Sequence, residues 1–306
     1  MAKRTRFRRG LTRWAARPLE TLLLHLVYYV IKALRIDTAS ALGGALARAI
    51  GPHLGATRCA RRNLGRVFPD MNRATVDATI REMWDNLGRL AAELPHLPDI
   101  KVFDSETKRG PRRVEIVGLK HVDAGLARKT PIMFFTALIG NWEIGPLAMM
   151  RYGLPLEIVY RAANNKWADR LFLTGRRDVV GGLIPKGAKR ARMIVKALDE
   201  GKSMGMLVDQ KMNDGIAVPF FGRDAMTAPA LAQLALKYNC TVIPTCVERL
   251  GGARYRLVFE APLELPRTGN RHAGVLALMT AVNARIETWV RRRPGQWLWL
   301  HHRWPD

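Results

Sequence analysis

From about Val114 the chain alternates short β-rich runs with stretches of helical periodicity, and no other feature restricts its fold as strongly. Val114 to Val117, Ile132 to Phe135, Leu156 to Tyr160, Met204 to Val208, Thr241 to Val247 and Tyr255 to Phe259 read as strands. Apolar residues at helical spacing fall between or after them, at Ala191, Ile194, Val195 and Leu198, then at Leu231, Leu234 and Tyr238, then along Val275, Leu278, Val282, Ile286 and Trp289. Such alternation argues for α/β architecture, so residues 101–306 are expected to form a mixed, largely parallel sheet flanked by helices.

The first hundred residues have a different texture. Residues 1–18 are a basic arm carrying Lys3, Arg4, Arg6, Arg8, Arg9, Arg13 and Arg17. Leu19 to Leu34 is strongly apolar but interrupted by Glu20, His25 and Lys32, short of the roughly 20 apolar residues a membrane span needs. Arg35-Ile36-Asp37 follows, with no small-residue cleavage pattern, which speaks against a removed signal peptide. One reading is a membrane-associated helix whose basic arm stays cytoplasmic and attracts anionic headgroups. The other is a buried core helix with a solvated tail.

Asp37 or Thr38 is placed to cap the next helix, Ala39 to Ile50, whose Ala and Gly content suits close packing on the helix before it. Val76, Ile80, Met83, Leu87, Leu90 and Leu94 line one face of a longer helix that Pro95 and Pro98 stop. Residues 19–100 are thus expected as a helical, membrane-associated region ahead of the α/β domain.

Lys plus Arg number 50 against 26 Asp plus Glu, a formal charge of +24, which favours anionic partners. Nucleic acid is disfavoured among them, because no helix-turn-helix, zinc finger or RNA-binding aromatic motif appears. Cys59, Cys240 and Cys246 are too few and too widely spaced for a disulfide framework or a structural zinc site.

The stretch most suggestive of chemistry runs from Pro131 to Ala148, where an apolar strand, a turn at Gly140-Asn141 and a helix start meet. In open α/β folds ligands gather at the carboxyl ends of strands, which makes Glu143 a candidate site residue. A Glu in a first helical turn also simply complements the helix dipole. If the strands are parallel, two further strand ends share this rim: Arg161 after Leu156 to Tyr160, and Asp209-Gln210-Lys211 after Met204 to Val208.

Gly140-Asn141-Trp142-Glu143 after an apolar strand resembles the late acyltransferases of lipid A biosynthesis, the lauroyl/myristoyl type. Tyr160-Arg161 with Asn164-Asn165, Arg176, Ile184-Pro185-Lys186, Asp209-Gln210-Lys211, Pro219 to Gly222 and Gln296 to His301 resemble it too, in the family's order, over roughly residues 60–304. The resemblance implies a glycerol-phosphate-acyltransferase-like fold and transfer of a fatty acyl chain from acyl carrier protein to a hydroxyl of a phosphorylated lipid A precursor. It places the enzyme on the cytoplasmic side of the inner membrane, with no cofactor. It also implies that Glu143 is the catalytic acid and that Arg161, Asn165, Arg176, Asp209 and Gln210 bind substrate, Asp209 as the ion-pair partner of one of the arginines or, failing that, as a turn former.

The family puts its general base, a His, five residues before the acid, and that position here is Leu138. Activity is therefore in question, and the alternative is an inactive member that binds lipid or acyl carrier protein without turnover. His121, His301 and His302 are the candidates to replace the missing imidazole. Trp297, Trp299 and Trp304 with the neighbouring arginines suit either an interfacial belt or a final strand packed on the core.

Overall fold

All six expected strands are present in a computed structural model, which describes residues 22–103, 112–160, 176, 179–185 and 190–304. Nine strands lie among the described residues: β1 (Val114–Val117), β2 (Ile132–Thr136), β3 (Glu157–Tyr160), β4 (Gly182–Pro185), β5 (Met204–Leu207), β6 (Lys211–Phe220), β7 (Arg223–Thr227), β8 (Thr241–Gly251) and β9 (Arg254–Phe259). Seven of them form one sheet in the order β1-β9-β8-β2-β5-β3-β4, and β6 with β7 makes a separate antiparallel ribbon. Within the large sheet only β8–β9 is antiparallel; every other neighbouring pair is parallel. The carboxyl ends of β2, β3 and β5 therefore lie on one rim, as the pattern predicts.

Three strands have no counterpart in the sequence reading, for physical reasons. β4 is four residues, Gly-Leu-Ile-Pro, whose flanking Gly and Pro read as loop. β6 contains Asn213, Asp214, Gly215 and Pro219, which are poor strand formers, and its ladder with β7 is broken between Lys211 and Ile216. The ribbon turns at Phe221-Gly222, both at positive φ (53° and 69°), a conformation suited to a tight hairpin.

The helices are α1 (residues 22–33), α2 (Ile36–Ile50), α3 (Thr57–Val67), α4 (Arg73–Glu93), α5 (Leu119–Ala127), α6 (Ile144–Arg151), α7 (Arg190–Asp199), α8 (Ala230–Tyr238) and α9 (Arg271–Arg292). α4 starts where the Asn72 side chain accepts the Thr75 N–H at 2.9 Å. Neither Asp37 nor Thr38 caps α2, which begins earlier, at Ile36; Asp37 instead accepts from Arg113 at 2.8 Å.

The expected close packing of α2 on the helix before it is also corrected: the small residues face α4. A Cβ added to Gly43 would lie 2.5 Å from the Gly88 carbonyl oxygen, and one added to Gly88 would lie 2.2 Å from that of Gly43. Only glycine at both positions lets the two backbones approach this closely.

α3 and α4 then complete the core of the sheet. Leu64, Ile80 and Met83 pack in one cluster with Met133 and Phe135 of β2 and with Ile286 and Trp289 of α9. Phe134, Ile144, Leu147, Ile243 and Leu257 fill the opposite face. Residues 57–93 and the α/β region thus share one hydrophobic core.

The terminal tryptophans belong to it as well. Trp297, Trp299 and Trp304 are all buried, which corrects the interfacial-belt reading. Each indole N–H is satisfied, on Asp209 Oδ2, the Pro294 carbonyl and the Phe220 carbonyl respectively, so burial leaves no polar group unpaired. No helix among the described residues is long and apolar enough to cross a membrane.

Candidate active site

Apolar alternation on β2 sends Phe134 and Phe135 to opposite faces of the sheet, and the strand ends at Thr136. The chain then makes the Gly140-Asn141 turn and enters α6 at Ile144. Gly140 has φ +57°, and a Cβ there would fall 2.0 Å from the backbone oxygen of Val247. Gly140→Ala is therefore expected to cost roughly 2–5 kcal/mol, the left-handed penalty plus overpacking. A drop in the thermal midpoint, with the loss persisting when residue 140 is Ser, is the check.

A buried polar network grips this turn. Asn141 donates to Glu93 Oε2 at 2.8 Å, and its own Oδ1 accepts the Glu143 N–H at 3.2 Å. Glu93 takes two hydrogen bonds from Arg249, at 2.6 and 2.9 Å, and one from Ser40 at 2.7 Å. Asn86 donates to the Gly140 carbonyl at 3.0 Å while accepting from Arg249 Nε at 2.8 Å. Sequence reasoning missed Asn86, Glu93 and Arg249. The available signal was an arginine inside the apolar run of β8.

Glu143 is 6% exposed and follows the turn directly. Arg176 Nε donates to its Oε2 at 2.9 Å, and Arg176 Nη2 bonds its Oε1. This two-point guanidinium–carboxylate pair fixes both groups in one plane. Of the expected anion-holding arginines, Arg176 thus steadies a carboxylate. Arg161 and Asn165 lie outside the described residues, as do Asn164 and Lys186.

Glu143 and Arg176 line a cavity of about 590 Å³. Most of its wall is apolar: Phe134, Met149, Ile158, Met206 and Leu231 are among the lining residues, and Gln210 and Lys211 join the polar group. The lining comes from both faces of the sheet. The β3–β5 ladder pairs Glu157 with Met204 and Ile158 with Gly205, and residues beyond it on either side, Val159 and Met206 to Val208, line the cavity. In size and composition it matches a small-molecule or lipid-chain site. Thr136 Oγ1, also at the wall, is buried without a hydrogen-bond partner among the described residues.

No ion pair between Asp209 and Arg176 is present among the described residues, and Arg161, the other expected arginine, lies outside them. Asp209 is fully buried; its Oδ2 accepts the Leu138 N–H at 2.8 Å and the Trp297 indole at 2.7 Å. Burial leaves it no contact with the cavity; it ties the end of β5 to the loop after β2. The Leu298 N–H donates to the Leu138 carbonyl at 2.9 Å, so the backbone of residue 138 is held on both sides.

No histidine is in the cavity wall among the described residues. His121 lies in the first turn of α5, and His302 contacts Arg62 at 2.6 Å. His301 Nε2 lies 3.3 Å from the Asp209 carbonyl oxygen, and burial holds its imidazole below the ordinary value of 6.5. The folded chain refuses a proton that the unfolded chain accepts, so stability is full above about pH 6.5 and falls as pH drops below it. His301→Gln is expected to flatten that slope in denaturant unfolding measured across the range.

The site thus joins an apolar cavity to a carboxylate–guanidinium pair on the carboxyl rim of a largely parallel sheet. Its sequence context agrees: a model of the bacterial lipid A biosynthesis acyltransferases matches residues 13–306, and the chain belongs to that family. Its members are acyltransferases. The Escherichia coli K12 lipid A biosynthesis palmitoleoyltransferase is 26% identical over 257 residues, covering 80% of this chain and 77% of the relative. The Shigella flexneri lipid A biosynthesis acyltransferase matches at the same identity and coverage. Among solved structures, the 1-acyl-sn-glycerophosphate acyltransferase of Thermotoga maritima overlaps 88% of this chain and 97% of its own, at 11% identity and a TM-score of 0.37, too low an overlap to bear on the site.

Proposed function

We propose that this chain slowly moves a fatty acyl group from an acyl carrier protein thioester to a hydroxyl of a phosphorylated lipid A precursor, at the cytoplasmic face of an anionic membrane. The observation that carries the reading is the apolar cavity that Glu143 and Arg176 help to line, in a chain of this family. The name of the Escherichia coli relative favours a long-chain acyl group.

In the transfer the acceptor oxygen attacks the thioester carbonyl; the C–O bond forms, the C–S bond breaks, and the acceptor's proton ends on the departing thiolate. Lys211 and Arg176 line the cavity, and in this reading their positive charges stabilise a phosphate or the developing oxyanion. Leu138 offers no lone pair, so the hydroxyl is activated by position alone, which retains the proximity contribution and forgoes base catalysis.

One observation favours a second reading, binding of acyl donor or lipid without turnover: both Glu143 oxygens are engaged by Arg176, and no histidine is in the cavity wall among the described residues. Incubation with labelled acyl carrier protein thioester and a phosphorylated lipid A precursor separates the two. Slow product from the native chain supports transfer. Donor or lipid binding with no product from either the native chain or Leu138→His supports the second reading, and absence of both donor and lipid binding contradicts both.

A further inference from the structure

Gly205 lines the cavity from β5, a strand with a neighbour on each side. Parallel register sets it directly opposite Phe134 of β2 and Ile158 of β3, so the three residues share one face of the sheet. That face is the one α6 covers, since Phe134 packs in one cluster with Ile144 and Leu147. Between two bulky side chains the row therefore has a gap.

No backbone constraint accounts for the gap. Gly205 is not among the residues at positive φ, and both ladders run through it without a bulge. A Cβ built on it would lie 2.5 Å from Ile158 Cδ1 and 3.5 Å from Leu156 Cδ1, both side-chain atoms; at Gly43, Gly88 and Gly140 the obstacle is a backbone oxygen. Glycine inside a strand weakens it and marks a bulge or a close approach by another backbone or a ligand. With no bulge and no backbone close by, the ligand is left. Ile158 lines the cavity too, so bulk added at residue 205 and the tip methyl it displaces compete for cavity space.

The height of the gap in the sheet gives it a role. Glu143 and Arg176 are paired at the carboxyl rim, and Gln210 and Lys211 line the cavity just past the end of β5. Gly205 lies three residues below Val208, about 10 Å at roughly 3.3 Å per strand residue. Leu156 and Val180, just ahead of β3 and β4, line the cavity near the same level. Charge is thus gathered at the top of the wall and the lower wall is apolar. An acyl chain with its carbonyl at the rim would extend down to Gly205.

We infer that Gly205, with the Ile158 side chain leaning across it, sets the depth of the cavity and thereby the length of fatty acyl chain accepted. The inference rests on the function proposed above and deepens it, assigning chain-length selection to residues outside the Glu143–Arg176 pair.

Competition binding of lauroyl, myristoyl, palmitoyl and stearoyl thioesters of acyl carrier protein to the full chain tests this without requiring turnover. Gly205→Val is expected to move the preferred donor about two carbons shorter and to weaken longer donors roughly ten-fold relative to lauroyl, as two methylenes lose their apolar wall. Gly205→Ala is expected to act in the same direction, more weakly. Ile158→Ala clears the tip methyl and is expected to move the preference toward longer donors. Damage to the fold lowers binding of every donor together and leaves their ratios alone, so the ratios report the depth of the cavity. Unchanged ratios in all three variants, or equal binding of all the donors by the native chain, would overturn the inference and leave the proposed transfer standing. Absence of any donor binding to the native chain would contradict the proposed transfer and the inference with it.

Discussion

Replacing Leu138 by His is expected to raise the rate of acyl transfer by roughly 10²- to 10⁴-fold, the usual contribution of a positioned general base. The backbone at residue 138 is already fixed on both sides. The residue 138 N–H is fixed on Asp209 at 2.8 Å, and its carbonyl accepts from Leu298 at 2.9 Å. The acid five residues later is held in place by Arg176 and by the Asn141 side chain. Initial rates with acyl carrier protein thioester and a lipid A precursor measure the gain. Glu143→Gln in the Leu138→His chain should remove most of it, since the carboxylate then no longer polarises the imidazole. Equal rates for native and Leu138→His chains of equal thermal stability would show that residue 138 is not where the chemistry fails.

Glu93→Ala is expected to destabilise the fold by about 3–5 kcal/mol, the cost of stranding a buried charge. Arg249 is nearly enclosed, and Glu93 is its one ion-pair partner among the described residues. The same carboxylate anchors Ser40 on α2 and Asn141 in the turn before Glu143, so its loss releases three elements at once. Denaturant unfolding gives the magnitude. The paired replacement Glu93→Leu/Arg249→Met removes both charges and should cost less than Glu93→Ala alone. A double variant as unstable as the sum of the singles would mean that the charges act independently and the pair is not the anchor.

Most of the sheet was legible because buried parallel strands are written as apolar runs; β2, β5 and β8 needed no more than that. The ribbon of β6 and β7 was not, because its residues are polar, glycine-bearing and partly exposed, and contacts far along the chain hold it, among them Phe220 and Phe221 against Trp304 and Arg303 on Thr227. The direction in which α2 packs was illegible for another reason: small residues announce a close approach without saying to what, and the partner glycine, Gly88, sits 45 positions later than Gly43.

At the site, Glu143, Gln210 and Lys211 were readable from strand ends, whereas the pairing of Arg176 with Glu143 depends on a long-range approach that spacing does not encode. Asp209 was readable as a rim residue but not in its contacts: that its carboxylate fastens the loop after β2 through Leu138 and Trp297 depends on residues far away in sequence.

Photolabelling tests most directly whether an acyl chain enters the apolar cavity that β3 and β5 help to line. An acyl carrier protein thioester bearing a diazirine near the end of a long fatty chain is bound to the native chain, irradiated and mapped by peptide mass spectrometry. The account predicts label on peptides containing Met149, Ile158 or Met206, displaced by unlabelled thioester. Label confined to α1 and α2, or unaffected by competitor, would contradict it.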